Sequence, residues 1–165
     1  MFFRRRTKEK LTGVDRLRAL VREQLPEADD DTTEIVSALA GLLSCIAYAD
    51  RKFDAAEQQR ARDALASVDG LSAEGAQAIG ELVSKHMAEI ATVNPQAYTR
   101  TLRERCSVEL RREVLDVLVD LAAADGELSL AETDLLRRTT AAIGLEASDY
   151  SAAQDRHRDK LKMLR

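Results

Sequence analysis

The chain has 165 residues, of which 45% are hydrophobic and 33% are charged, and it contains only 7 Gly and 2 Pro. A chain of this length buries roughly two thirds of its unfolded surface as one compact domain, so the composition predicts a helical globular protein and excludes a disordered one. The longest uninterrupted apolar run is too short to span a bilayer.

The net charge of −4 is unevenly distributed along the chain. Residues 1–22 carry a net charge of +6 and residues 154–165 carry +3, which leaves −13 for the residues between them. A strongly acidic body disfavours nucleic acid as the main ligand, because the phosphate backbone repels it. It favours metal ions or basic protein partners.

Helical periodicity and capping residues predict an all-α domain of about eight helices, because no stretch shows the alternation of a β-strand. An Asp31–Glu34 capping box opens the second helix, and Asn94 with Pro95 opens the fifth. Gly144 is expected to end the seventh. In chain order the predicted helices cover residues 12–25, 31–50, 54–67, 72–90, 95–105, 107–122, 129–144 and 148 onward.

One pattern occurs twice, in residues 47–57 (the first elbow) and, 75 residues later, in residues 122–132 (the second elbow). In each, an apolar helix runs into an Ala-Asp pair, a large apolar residue follows three positions after that Asp, and Asp54 or Ser129 then stands three residues before a Glu. This is a helix, a tight corner and a new helix start. The repeats, about 33–72 and 108–147, are predicted to pack as a pseudo-symmetric pair.

The elbow carboxylates have two interpretations. Asp50 and Asp125 stand at helix ends whose carbonyls already carry partial negative charge, so something must offset their charge. In the first interpretation they cap the next helix, and each elbow is only a helix corner. In the second they bind a hard cation, with backbone carbonyls, waters or the other elbow completing the ligand shell. Lys52 opposes binding in the first elbow, whereas Glu127 supports it in the second.

The paired Ala-Asp-x-x-apolar-[Asp/Ser]-x-x-Glu elbows resemble those of the TerB-like (tellurite resistance protein B) family, a domain similar to one in membrane-linked co-chaperones. The second copy, Ala-Asp-Gly-Glu-Leu-Ser-Leu-Ala-Glu, matches closely, whereas Arg51-Lys52 replace Gly-Glu in the first. The resemblance implies an all-helical, non-catalytic protein of tellurite or other stress resistance that binds a divalent cation such as calcium. The implied metal ligands are Asp50, Asp54, Glu57, Asp125, Glu127 and Glu132.

The resemblance also divides the chain into a basic N-terminal helix with an acidic linker (1–31), a TerB-like domain (32–150) and a basic C-terminal helix (151–165). Cys45 and Cys106 fall in apolar helical patterns and are read as buried thiols of a cytoplasmic protein. No phosphate-binding loop, zinc-ligand spacing or hydrolase pattern indicates an enzyme. The alternative function is a helical scaffold that binds a protein partner or the inner membrane surface without a metal.

The two basic ends of the chain and the arginine-rich stretch 103–112 give further predictions. The N-terminal aromatic and basic residues suit an anionic membrane surface, but a solvated tail, or one folded back on the acidic body, is the favoured interpretation. Those residues are Phe2, Phe3, Arg4, Arg5 and Arg6. The C-terminal helix is expected to dock through Leu161 and Leu164. A solvated face is expected to pair Arg103, Arg105, Arg111 and Arg112 with Glu104, Glu109 and Glu113.

Overall fold

The computed structural model describes residues 12–49, 53–124 and 128–163, and within these ranges it contains helices and no strand. The predicted all-α class is confirmed. These ranges hold nine helices rather than about eight: α1 (Gly13–Gln24), α2 (Asp30–Ala49), α3 (Ala55–Ala66), α4 (Ala73–Lys85), α5 (Met87–Thr92), α6 (Pro95–Arg105), α7 (Val108–Ala122), α8 (Leu130–Ala142) and α9 (Ala147–Met163).

The additional helix arises from a break at His86, in the segment predicted as one helix from 72 to 90. The backbone of His86 leaves the helical region, with φ −118° and ψ 23°. On the far side of the break, the Glu89 carboxylate accepts a hydrogen bond from the backbone N–H of Gly13, in α1. The break therefore accompanies a contact with a helix that is distant in the sequence. The apolar periodicity of residues 72–90 alone does not predict such a contact.

Helix α2 is the centre of the fold. Its residues 36–47 are all buried, and it contacts every described helix from α1 to α8. An apolar surface on all sides is what a central helix requires. By length and composition alone, α2 is long and apolar enough to cross a membrane, which the longest uninterrupted apolar run did not indicate. However, 72% of its most apolar window is buried inside the protein. The core helix of a soluble protein passes the same test.

Helix α6 packs closely against α2. A Cβ atom built on Gly41 would lie 2.5 Å from the ring of Tyr98, so glycine is what lets the aromatic ring sit against the α2 backbone. The Tyr98 hydroxyl donates a hydrogen bond of 2.7 Å to the carbonyl oxygen of Ile90 and so ties α6 to α5. Burial raises the pKa of Tyr98 above its ordinary value, and the hydroxyl remains a donor.

The helix starts agree with the predicted caps except at α2 and α6. At α6, Asn94 and Pro95 stand at the predicted positions, but the Asn94 side chain makes no capping hydrogen bond. Ser72 and Ser107 accept the expected backbone hydrogen bonds from residues three positions later. At α2 the cap is Asp29, not Asp31: the Asp29 carboxylate accepts a hydrogen bond of 2.7 Å from the Thr32 N–H, which lowers the pKa of Asp29. Asp31 instead forms an ion pair with Arg105, at the end of α6.

The C-terminal helix α9 buries Tyr150 and Ala153 in the core and also docks on α7 through charged groups. Asp116 pairs with Arg156 at 2.8 Å, and Asp120 lies 2.5 Å from Nδ1 of His157 and 3.2 Å from Nζ of Lys160. The predicted docking through Leu161 is wrong, because that side chain is 43% exposed. Leu164 lies outside the described residues.

The arginines of α6 and α7 also differ from the prediction. Arg105 pairs with Asp31, Arg112 pairs with Asp149 at 2.9 Å, and Arg111 donates a hydrogen bond of 2.7 Å to the carbonyl of Ile143. They connect α6 and α7 to other helices instead of pairing with neighbouring glutamates. The Ile143 contact stabilises the C-terminal end of α8, where a positive charge is favourable. Gly144 follows with φ 78°, as predicted for the residue that ends this helix.

The close approach at Gly41 gives a first prediction. Substitution Gly41→Ala should lower the free energy of unfolding by about 1–2 kcal/mol, because overpacking against Tyr98 outweighs the better helix propensity of alanine. Urea denaturation measures the change. The matched control is Gly80→Ala, another buried helical glycine, where an added Cβ meets only the flexible Arg62 side chain at 3.3 Å. This control should be neutral or slightly stabilising, and an equal loss in both variants would contradict the argument.

The charged docking of α9 gives a second prediction. Substitution Asp120→Asn removes the carboxylate that faces both His157 and Lys160 and should reduce stability by about 1 kcal/mol, less at high salt. Thermal unfolding at two salt concentrations measures both effects. The control Asp155→Asn removes an exposed ion pair within α9 itself, with Arg158, and should change little. Equal effects for the two variants would show that the ion pairs between α7 and α9 do not stabilise the docking of α9.

Candidate metal site at the helix elbows

The structure describes three of the six predicted metal ligands. Asp54, Glu57 and Glu132 lie at the starts of α3 and α8. The other three, Asp50, Asp125 and Glu127, lie outside the described residues.

In the first elbow, Asp54 is the N-cap of α3. Its backbone is extended, with φ −72° and ψ 175°, and its carboxylate Oδ1 accepts a hydrogen bond of 2.9 Å from the Glu57 N–H. The side-chain amide of Gln58 donates a hydrogen bond of 2.8 Å to the carbonyl of Phe53 and holds the incoming chain. Asp54 therefore acts as a helix cap, as the helix-corner interpretation expects.

The second elbow uses a complete capping box. The Ser129 hydroxyl accepts a hydrogen bond of 3.1 Å from the Glu132 N–H, and Glu132 Oε1 accepts one of 3.3 Å from the Ser129 N–H. Two backbone donors at the start of α8 are thereby satisfied reciprocally. The prediction that Ser129 and Glu132 open this helix is confirmed.

The two elbows share one electrostatic feature. Glu57 and Glu132 occupy equivalent positions, three residues after each cap, and both are only 1% exposed. A buried carboxylate is costly unless hydrogen bonds, a positive charge or a metal ion compensate it. The sequence identified these glutamates as elbow carboxylates, but it did not show that they are buried.

The helices that carry the elbows are in contact. Helices α2 and α7, which lead into the two elbows, pack against each other, while α3 packs against α7 and α8 packs against α2. The internal repeat itself remains a prediction. Among the residues that the structure describes, no three His, Cys, Asp or Glu side chains form a group able to hold a metal ion. An elbow site with three carboxylate ligands therefore requires Asp50, Asp125 or Glu127.

The cysteines and histidines lie elsewhere in the fold. Burial raises the pKa of the Cys45 thiol to about 12 and also raises the pKa of Cys106, so neither thiol is activated by its surroundings. His86 lies beside Glu89, and His157 lies beside Asp120. The contact of His157 with Asp120 joins residues 37 positions apart, so no sequence signal indicated it.

Comparison with known proteins gives one match. The chain matches the family model described as "Tellurite resistance protein TerB" over residues 36–155. The matched segment begins within α2, ends within α9 and contains both elbows. No curated protein and no solved structure matches the chain. Because the family model covers most of its length, the chain belongs to the TerB family of tellurite resistance proteins.

Proposed function

We propose that this TerB family protein is a non-catalytic, cytoplasmic component of bacterial tellurite or other stress resistance that binds a divalent cation at its acidic elbows. The observation that carries the proposal is the burial of Glu57 and Glu132 at equivalent positions. Each follows a turn whose sequence supplies a further aspartate. Calcium and other hard cations select such carboxylate oxygens.

The sequence of the turns favours the second elbow as the stronger site. In the first elbow the cap is a carboxylate, so one oxygen of Asp54 is already engaged by a backbone N–H. In the second elbow the cap is the Ser129 hydroxyl, and Oε1 of Glu132 accepts a hydrogen bond from the Ser129 N–H. The second elbow also has Gly-Glu where the first has Arg-Lys. A cation is therefore less repelled there.

The charge of the whole molecule supports the same proposal. The net charge of −13 between the two basic ends raises the local concentration of cations around the folded body. The two buried, unpaired thiols fit a reducing compartment, which supports the cytoplasm as the location.

Metal binding is tested by thermal unfolding of chelator-treated protein with calcium, magnesium, manganese or zinc added singly. An ion that binds only the folded state adds about 2.7 kcal/mol of stability at a hundredfold excess over its dissociation constant. We expect one of these ions to raise the melting temperature and Asp125→Asn to abolish the increase. The Asp50→Asn variant reports on the first elbow and should have the smaller effect.

The matched control is Asp134→Asn, which removes an exposed carboxylate of α8 that pairs with Arg138 one turn later. This variant should keep the full metal-dependent increase. If no ion stabilises the protein, and the elbow variants are only less stable, the elbow carboxylates are helix caps alone. The scaffold alternative, in which the protein binds a partner without a metal, would then replace the proposal.

A further inference from the structure

A groove of about 370 Å³ runs between α2, α7 and the end of α3, and none of the described residues that line it belongs to either elbow. Its apolar floor comes from Ile35 and Leu39 of α2 and from Leu110, Val114 and Val117 of α7. The α7 residues are spaced at i, i+4 and i+7, so they form one stripe along that helix. Ile35, Leu110 and Val117 are only partly buried, so the stripe remains accessible from outside.

The rim of this groove is acidic. Asp69 and Glu113 line it, and among the residues that the structure describes no lysine or arginine does. Glu109 lies one helical turn before Glu113 on α7. Within the described part of the chain these three carboxylates form no ion pair. Glu109 and Glu113 are like charges at i and i+4, an arrangement that destabilises a helix slightly when nothing neutralises it.

Three arginines close to Glu109 and Glu113 in the sequence are engaged with other groups. Arg105 pairs with Asp31, Arg112 pairs with Asp149, and Arg111 donates to the Ile143 carbonyl. The rim therefore keeps its negative charge beside an accessible apolar floor. A basic amphipathic helix has the complementary surface, with apolar side chains on one face and positive charges flanking it.

We propose that this acidic-rimmed groove is the docking site for a basic amphipathic helix of another protein. The apolar side chains of that helix, at i, i+4 and i+7, lie on the floor between α2 and α7. Its lysine or arginine side chains face Asp69, Glu109 and Glu113. The site involves neither elbow turn, so it goes beyond the proposed metal binding and does not depend on it.

The test uses the full chain in the presence of a chelator and a fluorescent synthetic peptide with leucine at i, i+4 and i+7 and lysines on both sides. Fluorescence anisotropy measures its affinity. We expect the double variant Glu109→Lys, Glu113→Lys to bind the peptide about tenfold more weakly than the wild type. Binding by the wild type should also weaken as salt is added. A peptide with serine in place of leucine should not bind.

The matched control is the double variant Glu23→Lys, Glu81→Lys, which makes the same charge change on exposed positions of α1 and α4 outside the groove. It should bind the peptide as the wild type does. Circular dichroism verifies that both variants are folded. Equal losses in the two variants, binding of the serine peptide, or no binding of the leucine peptide would each overturn the proposal.

The same peptide and protein variants distinguish two alternative occupants of the groove. If the wild type self-associates in analytical ultracentrifugation and Glu109→Lys, Glu113→Lys abolishes the association, the groove holds a second copy of this chain. If deletion of residues 2–6 strengthens peptide binding, the basic N-terminus of the chain competes for the groove. Either result would overturn the assignment to another protein.

Discussion

The fold depends on the burial of one helix on all its sides. A helix with an apolar surface all round must be surrounded by other elements, and α2 is surrounded by α1 and by α3 to α8. Its buried hydroxyls are satisfied within the helix, since Ser37 and Ser44 donate to carbonyls one turn earlier. Gly41 gives α6 the space to approach. Both elbows and the acidic-rimmed groove are placed by how the other helices pack around α2.

Features encoded by neighbouring residues could be predicted from the sequence. Helix caps such as Ser72, Ser107 and Ser129 depend on hydrogen bonds that span three residues, and the apolar stripes of the helices depend on a period of about four. The all-α class and most helix boundaries follow from such local signals. The prediction that Asp31 caps α2 was wrong because both Asp29 and Asp31 can cap a helix. Arg105, which is distant in the sequence, pairs with Asp31, so Asp29 is the cap.

Features that join distant parts of the chain could not be predicted in the same way. Arg105, Arg111 and Arg112 have glutamates as sequence neighbours, but their partners are 32 to 74 positions away. At the elbows the sequence identified the capping residues correctly, whereas the burial of Glu57 and Glu132 results from packing. The acidic-rimmed groove had no signal of its own, since three segments of the chain build it.

The docking of α9 implies that this helix unfolds locally while the core of the protein stays folded. This helix packs mainly against α7 and α8, where it buries Tyr150 and Ala153 and forms partly exposed ion pairs with α7. Segments held by few apolar contacts detach at a lower free energy than the core. The amide hydrogens of α9 should therefore exchange with solvent through a local opening, faster than those of α2. Because ion pairs are screened by salt, this opening would become more frequent as ionic strength rises, whereas exchange from α2 would follow global unfolding.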